Sequence, residues 1–405
     1  MPAHLTFALA AFFAAVQFYT SLAALSPTPP VGYVFLNRAG AAVLVAILIL
    51  AALVALVELV RWHVVVPQDS RTILIAWVGT ALVASLFGFD PRSGLEVVAL
   101  MCVAAIFHVA LVSFCREAPV ARPLLTAYLG SAIFVSIAGL GMLAAHRPAA
   151  LYALNHGRAA SFFVTANQFA TYLLLVVFTA VGVGLVARDR ILRGIAWAAA
   201  GSAALALLAT LSRSGWIGAA AGAIFLLMVL RQRRAALLAA AALVTAAILF
   251  AAIPVARHDP ADTFNRVASL GAGARAALLF PLTGVGPMAY WRVYPSIRPP
   301  GGAEPGSFGA LHPHDVYLSL AGETGLLGLV ALALGWVTFA RALARSTRRP
   351  GADPRLAFAI CAGLVATLFQ GIFDTVGIVQ MTFVWIPYTA LALAASDAGG
   401  LPEPS

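Results

Sequence analysis

Residues 38–60 read R-A-G-A-A-V-L-V-A-I-L-I-L-A-A-L-V-A-L-V-E-L-V, an apolar run with a single acid near its end. An α-helix needs roughly 20 apolar residues to cross a bilayer, and this run is long enough. It is also near-continuous and rich in Ala, Leu and Val, whereas a transmembrane β-strand would be short and would alternate in polarity. The stretch therefore predicts a transmembrane helix.

The same composition continues along the chain of 405 residues, which is 62% hydrophobic and only 10% charged and has a mean hydropathy of +0.95. Soluble domains carry about 25% charged residues. We therefore expect an all-α polytopic membrane protein, a single integral membrane domain over residues 1–405. About twelve spans are predicted, with soft edges, at 5–25, 38–60, 72–89, 95–115, 123–145, 166–187, 194–211, 214–231, 235–254, 315–341, 356–373 and 377–395.

Arginine placement predicts the orientation, because the chain has no lysine and all 25 of its Lys and Arg positions are arginine. The densest clusters, R-D-R-I-L-R at 188–193 and R-Q-R-R at 231–234, lie in short connections between predicted spans. Such clusters favour the cytoplasmic side. Both termini are then predicted to be cytoplasmic, and the first apolar run is interpreted as a retained helix rather than a cleaved signal peptide.

A long outer segment at 255–314 is predicted between the ninth and tenth spans. It is rich in proline and arginine and contains P-L-T-G-V-G-P at 281–287. Its first part, Thr263–Phe280, is predicted to form an amphipathic helix lying on the membrane, and its second part is predicted to be irregular. A loop of this length is usually functional or disordered, and its aromatic and arginine content favours function.

Leu311–Gly328, L-H-P-H-D-V-Y-L-S-L-A-G-E-T-G-L-L-G, closes that segment with two histidines and an aspartate before an apolar helix. A histidine at a membrane–water boundary can exchange a proton near neutral pH. His314 is therefore a candidate base, with helix capping or packing as the alternative. His312, across Pro313, is expected to point elsewhere. Glu323 lies about half a turn away on the helix and is interpreted as a buried polar tie between helices.

Arg213 lies in L-S-R-S-G-W, which we interpret as a tight outer turn between two spans rather than the middle of one long helix. An arginine there is costly unless it reaches water or an anion. It either snorkels to lipid phosphates or binds an anion, and Ser212, Ser214 and Gly215 favour the anion. Arg266 and Arg275, nine residues apart, point to opposite faces of any helix that holds both.

Several kinds of chemistry lack their motifs, since the chain has no Walker loop, dinucleotide fingerprint, H-E-x-x-H or C-x-x-C. The outer acids are few and unpaired, and the three cysteines have no metal-type spacing. No metal and no cofactor are therefore predicted. A cationic outer site with one base suits a substrate whose leaving group is a phosphate or pyrophosphate, which arginines bind bidentately while the histidine activates an attacking hydroxyl.

Three stretches, in this order, resemble the O-antigen ligase/O-antigen polymerase superfamily of bacterial envelope glycosyltransferases. G-R-A-A-S-F-F-V-T-A-N-Q-F-A at 157–170 is similar to the family's R…N-x-x-A segment, and 211–216 is similar to its S-R turn. The third stretch runs from Arg266 through 281–287 to 312–328. Two departures are Asp315, where the family often has Asn, and Leu270, where it often has Trp.

The resemblance implies a GT-C-like fold and metal-independent, inverting glycan transfer from an undecaprenyl pyrophosphate donor at the periplasmic face of the inner membrane. It makes His314 the general base and makes Arg213 and Arg266 the pyrophosphate binders. Further candidates are Arg158 as a donor-binding residue and, in supporting roles, Asp315, His312, Asn167 and Ser212. Asp315 either supports the histidine electrostatically or caps the helix.

Among the functions open to this family, O-antigen ligase is favoured, with lipid A–core as the acceptor. The alternative within the same chemistry is a polysaccharide polymerase or a protein O-oligosaccharyltransferase. A different class, a transporter of anionic lipids or sugars, would also suit many spans and outer arginines. Transporters usually show internal symmetry and helices broken near the midplane; no repeat between the halves is evident, and the charges cluster at one face, which favours an enzyme.

Overall fold

The computed structural model describes residues 3–25, 34–115, 118–236, 260–302, 304, 311–348, 353–373 and 377–397. Helices make up its regular secondary structure, and the described ranges contain no strand. The helices are α1 Ala3–Val16, α2 Arg38–Arg61, α3 Gln68–Leu86, α4 Pro91–Phe114, α5 Ala118–Ala145, α6 Ala149–Leu154, α7 Ala166–Val186, α8 Arg190–Ala209, α9 Arg213–Val229, α10 Pro260–Leu279, α11 Tyr290–Ile297, α12 Val316–Ser346, α13 Arg355–Gly371 and α14 Gly377–Ser396.

Eight of the described helices are long and apolar enough to cross a membrane, namely α2, α3, α4, α5, α7, α8, α12 and α14. Three more, α1, α9 and α13, are apolar but shorter. The prediction of an all-α polytopic membrane protein is thus confirmed. The candidate span at 235–254 falls almost wholly outside the described residues, and the total of twelve spans stays a prediction.

The core of the bundle is formed by α7, α13 and α14, whose apolar surfaces are covered by other helices. In the most apolar 18-residue stretches of α7 and α14, 78% and 89% of the residues are buried. Helix α9 packs closely on α13. A Cβ atom on Gly218 would lie 2.5 Å from the carbonyl oxygen of Ala366, and one on Gly222 would lie 2.6 Å from that of Ala362. Small residues let membrane helices approach to this distance, and here they fix α9, with Arg213 at its start, against α13.

The turn that holds Arg213 is as tight as the sequence predicts. Helix α8 ends at Ala209 and α9 begins at Arg213, and Leu211 between them has a left-handed φ of 48°. Two helices joined by a short turn, rather than one long helix, therefore bring this arginine to one end of the bundle.

The outer segment contains more helix than predicted. Helix α10 lies where a helix over Thr263–Phe280 is predicted, and its position on the membrane stays a prediction. The second part is not wholly irregular, because α11 spans Tyr290–Ile297. Its Pro295 lies inside the helix, and the buried side chains of Tyr290 and Tyr294 fill a small cluster with Ala272, Ala276 and Val285. Burial of these aromatic side chains outweighs the unfavourable proline, which is why the local composition misled the prediction.

Candidate active site

One end of the bundle brings together the segments that carry the candidate residues, and we call it the arginine end. The backbone N–H of Ala159 donates to the carbonyl of Ala209 at 3.1 Å, which joins the segment before α7 to the end of α8. The Tyr317 hydroxyl donates to the carbonyl of Leu368 at 3.3 Å, which joins the start of α12 to the end of α13. Two pairs of segments that are distant in sequence are thus joined at this end of the bundle.

Arg213 stands at the first position of α9, and its neighbours hold it there. The Ser212 hydroxyl caps the helix by accepting the Gly215 N–H at 3.1 Å, and it lies 3.2 Å from the Ser214 hydroxyl. The serines therefore order the turn. The first residues of a helix carry a positive partial charge, and the guanidinium adds a full charge at the same place.

Arg213 and Arg266 come within electrostatic reach of each other. The pKa of the Arg213 guanidinium is lowered by partial burial and, second, by the positive charge of Arg266. Arg213 is thus partly covered yet still reaches solvent, and Arg266 is exposed as well. Two guanidinium groups held this way repel, and an anion between them would relieve the repulsion. The pair has the charge that a pyrophosphate group needs.

Helix α10 carries Arg266 and packs directly on the histidine segment. A Cβ atom on Gly273 would lie 2.7 Å from Cβ of Pro313, so the helix touches the peptide between the two histidines. Arg275, further along, turns away and donates to the carbonyl of Ile297 at 3.4 Å. Arg275 therefore contacts α11, whereas Arg266 lies within electrostatic reach of Arg213.

His314 is buried and lies immediately before the N-cap residue of α12. Its backbone has a left-handed φ of 59°, a conformation in which histidine is enriched among non-glycine residues. Its backbone N–H donates to Nδ1 of His312 at 3.1 Å, and the two rings are 4.2 Å apart between centroids. The expectation that His312 points elsewhere is wrong: the left-handed turn after Pro313 folds one ring onto the other.

Asp315 is the N-cap residue of α12. Of the two roles considered for it, capping of the helix is the one that corresponds to its hydrogen bond in the structure. Its carboxylate accepts the Leu318 N–H at 2.7 Å. Burial raises the pKa of the Asp315 carboxyl, while the backbone N–H groups of Leu318 and Tyr317 oppose that shift. By ending the preceding loop and starting the helix, Asp315 fixes where His314 stands.

Arg158 and Asn167 flank the same region on the segment before α7. The Arg158 Nε atom donates to the carbonyl of Asn155 at 3.0 Å, and Ala159 next to it is bonded to the end of α8. Asn167 is buried near the start of α7, and its carbonyl oxygen accepts the Gln370 side-chain amide at 2.9 Å. Arg158 is thus close to the turn that carries Arg213, and Asn167 ties α7 to α13.

Sequence reasoning did not single out Asn155, which organises the segment that carries Arg158. Its side-chain amide donates to the carbonyls of Leu151 and Val164, and its oxygen accepts the Ala166 N–H at 2.7 Å. A polar residue directly after the short apolar helix α6 is the only sequence signal for it. Its farthest partner is eleven residues away along the chain, a separation that no local pattern encodes.

Within the described ranges, His, Cys, Asp and Glu side chains form no group of three or more that could hold a metal ion. The metal-independent chemistry expected from the resemblance stays a prediction.

A comparison with protein families matches residues 197–333 to a family described as O-antigen ligase. The matched stretch contains Arg213, Arg266, the histidine pair and Glu323, while Arg158 and Asn167 precede it. No curated protein matches the chain. The match confirms the resemblance to the O-antigen ligase/polymerase superfamily.

Proposed function

We propose that this chain, a member of the O-antigen ligase/polymerase superfamily, is an O-antigen ligase that transfers a glycan from undecaprenyl pyrophosphate to a sugar hydroxyl of lipid A–core. The observation that carries the proposal is that Arg266 lies within electrostatic reach of Arg213, on the same helix that packs on Pro313 between the buried His312 and His314. A diphosphate leaving group and an attacking hydroxyl need these two kinds of residue at one place.

In this mechanism His314 is the general base. Its unprotonated ring nitrogen takes the proton of the acceptor hydroxyl as the acceptor oxygen forms a bond to the anomeric carbon of the donor sugar. The bond between that carbon and the pyrophosphate oxygen breaks on the opposite face, so the configuration inverts. The leaving lipid pyrophosphate takes the electron pair.

Arg213 and Arg266 stabilise the negative charge that grows on the leaving group. A guanidinium binds two phosphate oxygens at once through parallel N–H donors, and two such groups can hold both phosphates. Their mutual repulsion is greatest in the empty site and falls as the anion enters, which favours binding of the charged leaving group. Arg158, nearby, is a further donor-binding candidate.

The arginine end is proposed to face the periplasm of a bacterial inner membrane, with both termini in the cytoplasm. This orientation puts the arginine clusters at 188–193 and 231–234 inside, as the positive-inside rule requires. The donor and the acceptor are both lipids, so both reach the site from the outer leaflet of that membrane. The segment 255–314 is then a periplasmic loop.

The test is transfer by the purified protein in proteoliposomes that contain an undecaprenyl pyrophosphate-linked glycan. Three acceptors are offered separately: lipid A–core, a second lipid-linked glycan, and a peptide rich in serine and threonine. We expect a product with lipid A–core alone. A product only with the second glycan or only with the peptide would make the protein a polymerase or a protein glycosyltransferase.

The same assay tests the base. His314→Ala is expected to lower the transfer rate about 10²–10⁴-fold, the usual contribution of general base catalysis, without weakening donor binding. His63→Ala is the control, because His63 also has a left-handed backbone but is exposed at the end of α2. Full activity in the His314 variant would remove this residue from the mechanism.

A further inference from the structure

The regular helix of α12 is interrupted at Gly325. A segment of the outer loop forms backbone hydrogen bonds with the residues on either side of the interruption. Gly325 has φ 65° and ψ −163°, a conformation available essentially to glycine alone. On one side of the break the N–H groups of Val285 and Gly286 donate to the carbonyls of Gly322 and Glu323 at 2.8 and 2.9 Å. On the other side, the N–H groups of Leu326 and Leu327 donate to Pro281 and Leu282.

These bonds attach residues 281–286 to the first part of α12, one of the helices long enough to cross a membrane. Backbone groups freed by a break in such a helix must find partners within the protein, and the loop supplies them. The contact leaves no room for a side chain, since a Cβ atom on Gly284 would lie 2.3 Å from the carbonyl carbon of Glu323. The loop is therefore seated at one fixed place on α12.

The side chain of Glu323 forms a further contact between α12 and the loop, at Met288. It is 2% exposed, and its Oε2 atom has no hydrogen-bond partner. The carboxyl accepts the backbone N–H of Met288, a residue held at a left-handed φ of 58°. A buried, unpaired carboxylate would be very costly, so we take the side chain as the neutral acid.

Two residues after Met288, Tyr290 connects the loop to α10, the helix that carries Arg266. Tyr290 is fully buried close to Glu323, and burial raises the pKa of its hydroxyl. Its hydroxyl donates to the carbonyl of Ser269 at 3.3 Å. Ser269 follows Arg266 by one turn of α10, and it is itself buried.

We propose that Glu323 is a positioning residue, which through Met288, Tyr290 and Ser269 sets the place of Arg266 relative to His314, just before the start of α12. This inference rests on the proposed function, since it assigns Arg266 to donor binding. It goes beyond a structural tie, because it specifies which functional residue depends on Glu323. Loss of the carboxyl displaces Arg266 and leaves Arg213 in place.

A double-mutant cycle tests the dependence. Glu323→Ala is expected to lower kcat/KM for the lipid-linked donor about tenfold or more, as displaced binding groups do, mainly through KM. In an Arg266→Ala background it is expected to cost no further activity, because residues that act through one another are not additive. Equal losses in both backgrounds would overturn the proposal.

Two further variants make the cycle independent of a folding defect. Glu323→Gln keeps an acceptor for the Met288 N–H and is expected to restore activity to within a few-fold of the wild type. Tyr290→Phe removes only the bond to Ser269 and is expected to be non-additive with Arg266→Ala as well. Glu58→Ala is the matched control, since Glu58 is also 2% exposed but joins α1 to α2 through His4 at 2.8 Å. Any loss of activity that it causes must be the same in the wild-type and Arg266→Ala backgrounds.

Amide hydrogen exchange in the substrate-free protein separates failure of this inference from failure of the proposed function. Glu323→Ala is expected to speed exchange at residues 285–290 and along the start of α10, while Glu323→Gln leaves both slow. An inactive wild-type protein with this exchange pattern would reject the proposed function alone. Unchanged exchange in Glu323→Ala would reject the positioning role, whatever the activity.

Discussion

The Nδ1 atom of His312 accepts the backbone N–H of His314 at 3.1 Å. This bond holds the left-handed turn that aims the His314 ring, and it requires an Nδ1 atom without a proton on His312. His312 is then a positioning residue for the proposed base, and its tautomer is fixed by its neighbour's backbone.

This bond predicts different outcomes for two substitutions of His312. An asparagine oxygen can take the place of Nδ1 as an acceptor, so His312→Asn is expected to keep transfer within a few-fold of the wild type. His312→Ala leaves the N–H without its acceptor, a loss of about 1 kcal/mol, and transfer should fall about fivefold or more. The measurement is kcat in proteoliposomes. If asparagine were as damaging as alanine, the ring and not the accepted bond would be the important feature.

The arginine pair predicts a loss that charge alone cannot restore. Arg213→Lys and Arg266→Lys keep the positive charge but lose the planar fork that binds two phosphate oxygens. Each is expected to raise KM for the donor about tenfold or more, since hydrogen bonds to charged groups contribute about 1.5–3 kcal/mol.

Arg92→Lys is the control for that experiment. Arg92 is exposed near the same end of the bundle, where it pairs with Glu96 at 3.3 Å, and we place it outside the site. Its replacement is expected to leave KM unchanged. If Arg213→Lys and Arg266→Lys bound donor as tightly as the wild type, bidentate recognition would be excluded.

Asp315 allows a test of whether its charge or its cap matters. Asparagine is as good an N-cap residue as aspartate, while alanine costs about 1 kcal/mol. Asp315→Asn is therefore expected to match the wild type in thermal stability and transfer rate, and Asp315→Ala is expected to lower both. A large loss of kcat in the asparagine variant, with stability intact, would show that the carboxylate supports the histidine electrostatically.

The sequence predicts the helices well because each one depends on its own apolar run, and the turn at Leu211 is local too. The relationships that build the site are not local. The pairing of residues 281–286 with the break at Gly325 joins segments more than thirty residues apart, and the helix α11 forms through burial of Tyr290 and Tyr294 despite Pro295. Composition and periodicity carry no information about such partners.

For the histidine segment, sequence and structure differ for a similar reason. The motif identifies His314 and Asp315 by their place before an apolar helix. The contact between the His312 and His314 rings depends on the left-handed φ of His314, which the residue type favours only weakly. The family resemblance, and not the spacing of residues, indicated that Arg266 acts together with Arg213 and His314. Spacing alone could not have paired the two arginines.

The ion pair between Asp90 and Arg292 joins the start of α4 to α11, and it predicts a pH dependence. Burial raises the pKa of Asp90, but hydrogen bonds from Ser93 and the charge of Arg292, 2.7 Å away, outweigh it and leave the pKa lowered. A lowered pKa means that the carboxylate stabilises the fold above the ordinary aspartate value of about 3.9. The stabilisation is lost as the pH falls through the folded-state pKa.

Asp90→Asn tests this, because asparagine keeps the cap to Ser93 and removes only the charge. At pH 7 the variant is expected to exchange the amides of α11 faster than the wild type, by an amount worth less than about 1 kcal/mol because the Arg292 side chain is 47% exposed. The difference should shrink as the pH falls below about 4 and vanish only once the pH is below the lowered folded-state pKa of Asp90. Asp189→Asn, at another helix cap whose aspartate also has a lowered pKa, is the control and should leave α11 unchanged. A difference that persisted in acid would show that the Asp90 charge is not its cause.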